Sequence, residues 1–306
     1  MVSDKKDLVQ TNSELSSLKK SKKAKKPLPK SLRFVFRLLG VTFFSALMGI
    51  NGQIIYNYSR YEKFYVNGES MYPTLNRYTS VTDSSGKNLI NSSYQIPDLG
   101  DFIRPGYSYT CDYGLMDTRK DTLSSLSRFD LVVTYFESDM VLDPTSGTYS
   151  PKEKDGAVSA SLKIKRIIGL PGESVYFDEQ GELFVSEDGI DYEKVVQPFL
   201  EPSKDWDDSL VSWMANAKKE TVLNAKHGTL SSPMVLSEDE YFLVGDNRKK
   251  NGSRDSREIG AVPAYCFVDK AIAITAQCKY TVLEDGTTSQ SLLLSTVLMP
   301  WELRFL

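Results

Sequence analysis

The 306-residue chain holds one histidine, His227. That excludes a multi-histidine zinc site, no HExxH occurs, and a Ser-His-Asp arrangement is left with one candidate base. Cysteine is scarce as well: Cys111, Cys266 and Cys278 show no CxxC spacing, which argues against a zinc ribbon or a disulfide framework. Free buried thiols are the plainer reading of all three, with a Cys266–Cys278 bond across neighbouring strands as the alternative. Thirteen prolines and 19 glycines are too few for a collagen-like or wholly disordered chain. With 41% hydrophobic and 11% aromatic residues, most of the chain is expected to fold, as one large domain or two small ones.

The small net charge of −3 hides a split. Residues 1–37 carry 11 Lys+Arg against 3 Asp+Glu, a net of +8, and the remainder nets −11. Residues 1–31 are polar and without apolar periodicity, the composition of a disordered tail. Leu38 to Tyr56 follow without a single charge, and as a helix they would span about 28 Å, close to the ~30 Å hydrocarbon core. Phe34, Val35 and Phe36 extend the segment, giving a cytoplasmic tail over 1–33 and a membrane anchor over 34–58. Lysines before the segment and few after it predict the tail inside and residues 59–306 outside. Tyr56, Tyr58, Tyr61 and Tyr65 fall where an outer aromatic belt belongs. The lysine run 19–26 resembles a nucleic-acid patch, but topology already accounts for its charges, so no nucleic acid is expected. The apolar stretch exceeds a secretory h-region and no small-x-small cleavage site follows, which favours an uncleaved anchor.

Beyond residue 60 no repeat is visible. Residues 79–100 have loop composition, and 129–136, 162–168, 174–177, 183–186, 190–196, 241–244 and 267–275 read as strands with turns between them. One helix is expected near 205–218, where Trp206, Leu210, Trp213, Met214 and Ala217 recur at helical spacing; its plain reading is core packing.

Three stretches suggest chemistry. In Asn67–Leu75, Ser70 becomes a nucleophile only with a base nearby and N–H donors for an oxyanion. Gly68 allows close backbone approach and Pro73 fixes the chain after the serine. In Lys163–Glu173, an extended strand puts Lys163 and Lys165 on one face and Arg166 on the other. A lysine desolvated there acts as a neutral base; a solvated basic edge is the alternative. Gly245–Gly260 is dense in turn formers and opposite charges, either a solvated loop or a loop held by charge-assisted bonds near a site.

In this order after an apolar segment, the stretches resemble bacterial type I signal peptidases, especially Gram-positive forms, over residues 34–275. Ser-Met-x-Pro-Thr-Leu matches at Ser70–Leu75 and Lys-Arg-x-x-Gly-x-Pro-Gly at Lys165–Gly172. Gly-Asp-Asn-Arg…Ser-x-Asp-Ser-Arg-x-x-Gly matches at Gly245–Gly260, and Arg128–Phe136 resembles the remaining box. The resemblance implies a mainly β catalytic domain of signal-peptidase type, with long insertions at 79–126 and 178–240, after one transmembrane helix. It implies Ser70 as nucleophile, Lys165 as general base with Lys163 a bystander, Ser253 orienting the lysine amine, and an Asp255–Arg257 supporting ion pair. His227 becomes incidental, and no metal or cofactor is needed. Secretory preproteins are the implied substrates, cut at the outer face of the cytoplasmic membrane, near the export translocon. An added substrate strand with small side chains in shallow pockets is the expected binding mode. A peptidase dedicated to one pathway, or a pilus or cell-wall assembly factor on the same scaffold, is the alternative. Met71, Tyr72 and Pro73 are expected to face substrate and bilayer. Two departures stand out: Gly68 replaces an oxyanion serine of many Gram-negative relatives, leaving the Ser70 N–H as donor, and four residues rather than two separate Arg248 from Ser253.

Overall fold

The computed structural model describes residues 29–89, 105–294 and 304–306; most of the tail expected over 1–33 and the second half of the loop expected over 79–100 lie outside the described residues. The chain divides into two compact units, Met1–Asn57 and Tyr58–Leu306. Helix α1 runs from Lys30 to Arg60, a few residues longer at both ends than the expected anchor. No proline interrupts it, and no charge falls between Arg37 and Arg60. Two of its polar side chains turn back on their own helix: Thr42 Oγ1 donates to the Leu38 carbonyl at 3.1 Å and Asn51 Nδ2 to the Leu47 carbonyl at 2.8 Å. Such groups are satisfied without water, as an apolar surrounding requires. Among the described residues this is the one helix long and apolar enough to cross a membrane, over Lys30–Gln53, with none of it buried against protein.

The second unit is mostly β. Its main sheet is built from β1 (Tyr61–Tyr65), β2 (Val81–Thr82), β3 (Ser108–Asp117), β4 (Leu131–Thr134) and β5 (Lys163–Gly169). A smaller sheet takes β6 (Ser174–Phe177), β7 (Leu183–Ser186), β8 (Glu193–Val195) and β9 (Met234–Val235). The main sheet then resumes with β10 (Glu240–Val244), β11 (Val262–Pro263), β12 (Phe267–Val282), β13 (Thr288–Leu292) and β14 (Arg304–Phe305). Its order is β1-β3-β12-β4-β5-β10-β11, with β13 and β14 on β12 and β2 on β3. The smaller sheet has the order β8-β7-β6-β9. Ile168, Val175, Phe177, Leu183, Phe242 and Val244 form the apolar core that joins the two sheets.

Helix α2 (Asp208–Lys219) follows the smaller sheet's third strand. It is capped by Asp207, which accepts from the Leu210 N–H, and it buries Leu210, Met214 and Ala217, the spacing read from the sequence. A one-turn helix, α3 (Ser256–Ile259), has Asp255 as its N-cap.

Several expectations are corrected. Residues 108–117, read as part of an insertion, are a ten-residue strand paired with β1 and β12 on its two sides. Tyr61 and Tyr65, read as part of an outer aromatic belt, are the first and last residues of β1. The strand expected over 267–275 continues to Val282, whereas that over 190–196 shrinks to Glu193–Val195. Cys278 faces Cys111 on β3, while Cys266 lies just ahead of β12, the strand that carries Cys278. A Cys266–Cys278 bond across neighbouring strands is therefore ruled out by topology. All three cysteines are buried and free.

Candidate active site

The segment after β1 leaves the sheet as a tight loop, and Asn76 closes it. Asn76 sits in the left-handed region at φ 60. Its side chain donates to the carbonyls of Val66 and Gly68, both at 2.8 Å, and accepts from the Asp112 N–H at 2.7 Å. Its own N–H reaches the Asp112 carboxylate at 2.9 Å. Inside this clip, Met71 and Leu75 are fully buried against Val66, Leu131, Ala271 and Ile274. Two turns, Tyr72 N–H to Glu69 carbonyl and Leu75 N–H to Met71 carbonyl, both 2.9 Å, hold Ser70 at the rim. Gly68 has φ +120 and open space where a side chain would stand, a conformation that suits glycine.

Lys165 arrives from β5, opposite Val132 of β4. Its Nζ lies 2.8 Å from Ser70 Oγ, and only 3% of the residue is exposed. Burial is the main force lowering its pKa, to about 8; Lys163 and Arg257 push the same way, whereas Asp255 and Asp246 oppose them. An amine at that value is substantially neutral near pH 8 and can accept a proton.

The third stretch interlocks with the other two. Asp246 takes a two-point bond from Arg166, at 2.8 and 2.6 Å, and accepts from Thr74 Oγ1 at 2.5 Å. Asn247 donates its N–H to the Ser70 carbonyl at 3.1 Å and its side-chain amide to the Glu69 carbonyl at 3.2 Å. Gly245 is required by packing: a Cβ there would land on the Ser253 side chain and the Ser70 carbonyl. Arg257 grips Asp255 through two bonds of 2.8 Å, and Asp255 also accepts from the Gly245 N–H at 2.9 Å. This buried pair presents a carboxylate whose charge pulls the Lys165 pKa upward, against burial.

Not every expected residue takes the place read for it. Ser253 lies beside Ser70, but its buried Oγ has no hydrogen-bond partner, so the bond that would orient the lysine amine is absent. Met71, Tyr72 and Pro73 are buried, which corrects their reading as residues facing substrate and bilayer: core partners cover them. Lys163, read as a bystander, is half-buried over the Phe136 ring at 5.9 Å, and its charge works with burial to lower the Lys165 pKa. The segment around α2 packs into the core as read from the sequence, and it also reaches the Ser70 loop. Trp213 meets Tyr72 edge-on, centroids 4.9 Å apart, and Arg77 pairs with Asp205 at 2.6 Å. Of the residues that hold the site, Thr74, Arg166, Gly245, Asp246 and Asn247 lay inside the motifs and Trp213 in the helical pattern, whereas Asn76 and Asp112 gave no signal. The extra residues before Ser253 are absorbed outward, where Lys250 N–H donates to Glu220 at 2.7 Å and Asn224 to Asn251 at 2.8 Å.

The profile of the family described as signal peptidase, peptidase S26, matches residues 37–276. The chain belongs to that family. It is a serine peptidase, a hydrolase of the signal peptidase class, whose substrates are preproteins. Among solved structures, a signal peptidase I from Enterococcus faecalis V583 is similar at TM-score 0.28 and 19% identity, covering 48% of this chain and 96% of that one. No curated protein matches the sequence.

Proposed function

We propose that this signal peptidase is a membrane-anchored endopeptidase that removes N-terminal signal peptides from exported preproteins through a Ser70/Lys165 dyad. The observation that carries the reading is the 2.8 Å approach of a buried Lys165 amine to Ser70 Oγ. The neutral amine takes the serine proton as Oγ attacks the scissile carbonyl, then returns it to the leaving amine; water, activated by the same base, releases the acyl-enzyme. The Ser70 N–H makes no hydrogen bond among the described residues, which leaves it available to the oxyanion. Asp255 and Arg257 act as a fixed support beneath the lysine, and Gly68 leaves room for a substrate backbone.

The same reading places residues 1–33 in the cytoplasm, residues 34–58 of α1 in the bilayer of the cytoplasmic membrane, and residues 59–306 outside, close to the translocon. The +8 charge of residues 1–37 supports the orientation, and the short stretch of nine residues between Arg60 and Ser70 supports chemistry near the membrane surface. Detergent-solubilised protein incubated with a model preprotein tests the activity. Mass spectrometry should find one cut at the signal-peptide boundary, lost in Ser70→Ala; uncut preprotein with the wild type counts against the reading. Protease added to intact spheroplasts should digest the body and spare a tag at residue 1, and protection of the body would overturn the orientation.

A further inference from the structure

Cys111 and Cys278 stand directly opposite one another on β3 and β12. Their Sγ atoms are 2.9 Å apart, although 167 positions separate them in sequence. Facing residues of antiparallel strands have Cα atoms about 4.5–5.5 Å apart, inside the roughly 4.4–6.8 Å that a disulfide bridges. Val81, Tyr109, Tyr280 and Val282 pack around the pair. Cys266, some 12 residues earlier along nearly the same extended chain, lies roughly 30 Å or more from Cys278 at ~3.3 Å per residue.

We propose that Cys111 and Cys278 are a disulfide-forming pair that clasps β3 to β12, and that Cys266 stays a thiol. In the cell this rests on the reading that the body lies outside, where oxidising conditions allow disulfides to persist. The bond forms by exchange with an oxidised partner of the disulfide class, a small-molecule disulfide or an oxidised dithiol protein. One cysteine thiolate attacks that disulfide and expels a thiolate, which takes up the proton the cysteine gave to solvent. The second cysteine, deprotonated likewise, attacks the protein sulfur of the mixed disulfide and expels the partner's other thiolate, which is protonated in turn. Two protein thiols are oxidised and one external disulfide is reduced to two thiols. Because both cysteines are buried, closure belongs to folding, and the finished bond is shielded from reductants.

The clasp has a consequence for the site. Asp112, the neighbour of Cys111, holds the nucleophile loop through Asn76 and through the Val66 N–H, which donates to its carbonyl at 2.9 Å. Tying position 111 to β12 therefore steadies the strand from which the Ser70 loop hangs, without touching the reacting groups.

The test uses full-length protein, trapped with N-ethylmaleimide in the cell suspension, purified from membranes without reductant, and then unfolded in urea with fresh N-ethylmaleimide so that buried thiols are labelled. Peptide mapping should recover a Cys111–Cys278 cross-linked peptide, 2 Da lighter than its two thiol parts, and a maleimide-labelled Cys266. If the cross-link is absent from cells, protein purified without N-ethylmaleimide is unfolded in urea and refolded in detergent with oxidised glutathione. A Cys111–Cys278 link formed only then upholds the pair and counts against the exterior placement instead. No link in either arm, or a link through Cys266, overturns the proposal. Reduction under mild denaturation should lower Tm by about 5–10 °C while leaving turnover at 25 °C unchanged. A Cys266→Ser protein should keep both the link and the Tm.

Discussion

Replacing Lys165 by methionine removes the amine proposed as the general base but should make the protein more stable at neutral pH. The residue is 3% exposed, and burial lowers its pKa from the ordinary 10.5 to about 8. At about 1.36 kcal/mol for each tenfold change in proton affinity, the folded state bears a penalty of about 3 kcal/mol where the lysine is charged in both the folded and unfolded chains. The unfolded chain binds the extra proton between pH 8 and 10.5, so wild-type stability rises with pH across that window through this residue. Below pH 8 the penalty is at its full size, and above about pH 10.5 it is gone. Methionine is similar in length and carries no charge, and it forfeits the contact with Ser70, a loss of about 1 kcal/mol. Lys165→Met is therefore expected to be more stable than wild type by about 2 kcal/mol at pH 7 and no more stable at pH 10. Urea unfolding of both proteins in the same detergent, followed by tryptophan fluorescence at pH 7, 8, 9 and 10, measures the gap. A gap that stays constant over this range would refute the desolvation argument, because a lysine with an ordinary pKa contributes no pH-dependent difference.

Three further outcomes follow from the site's surroundings. Lys163→Gln removes a cation that helps lower the Lys165 pKa, so the rising limb of activity should move up by roughly 0.5–1 pH unit, and Lys163→Arg should restore it; an unmoved limb would return Lys163 to the role of bystander. Asp255→Asn leaves the Arg257 guanidinium, held by two 2.8 Å bonds in the wild type, buried without its counter-ion, at a cost of about 3–5 kcal/mol read by denaturant unfolding; a loss below about 1 kcal/mol would show that the pair is dispensable. Trp213→Ala deletes the edge-on contact with Tyr72 and should lower kcat several-fold more than it raises KM, because the loop behind Ser70 loses its brace; unchanged kcat would confine α2 to packing.

The parts of this molecule that were legible in the sequence are those whose signal is local. An uncharged 19-residue run specifies its helix, and alternation with intervening turns specifies β5, β6 and β7. Ser70, Lys165 and the Asp255–Arg257 pair sat in dense motifs, and the structure brings them together. Strand β3 was illegible because it breaks the pattern that marks strands: Asp112 and Asp117 are buried acidic residues in a run read as part of an insertion. They are tolerated because Asn76, Arg60 and Arg119 bond to them, and those partners lie at other positions in the chain. Met71 and Tyr72 looked like membrane-facing residues for a related reason. An apolar side chain beside a nucleophile gives no local sign of whether lipid or core will cover it; here Leu131, Ile274 and Trp213 decide, from distant segments. The cysteine pairing needed the β3–β12 register, which no spacing along the chain encodes.

The most direct test of the dyad is the pH profile of preprotein cleavage by wild type, His227→Ala and Lys165→Arg. Wild type and His227→Ala should share a single rising limb centred near pH 8, the value to which burial lowers the Lys165 pKa. Lys165→Arg, folded and membrane-bound, should turn over nothing at any pH, because a guanidinium keeps its proton throughout this range. A limb that vanishes with His227, or measurable turnover by Lys165→Arg, would contradict the Ser70/Lys165 account.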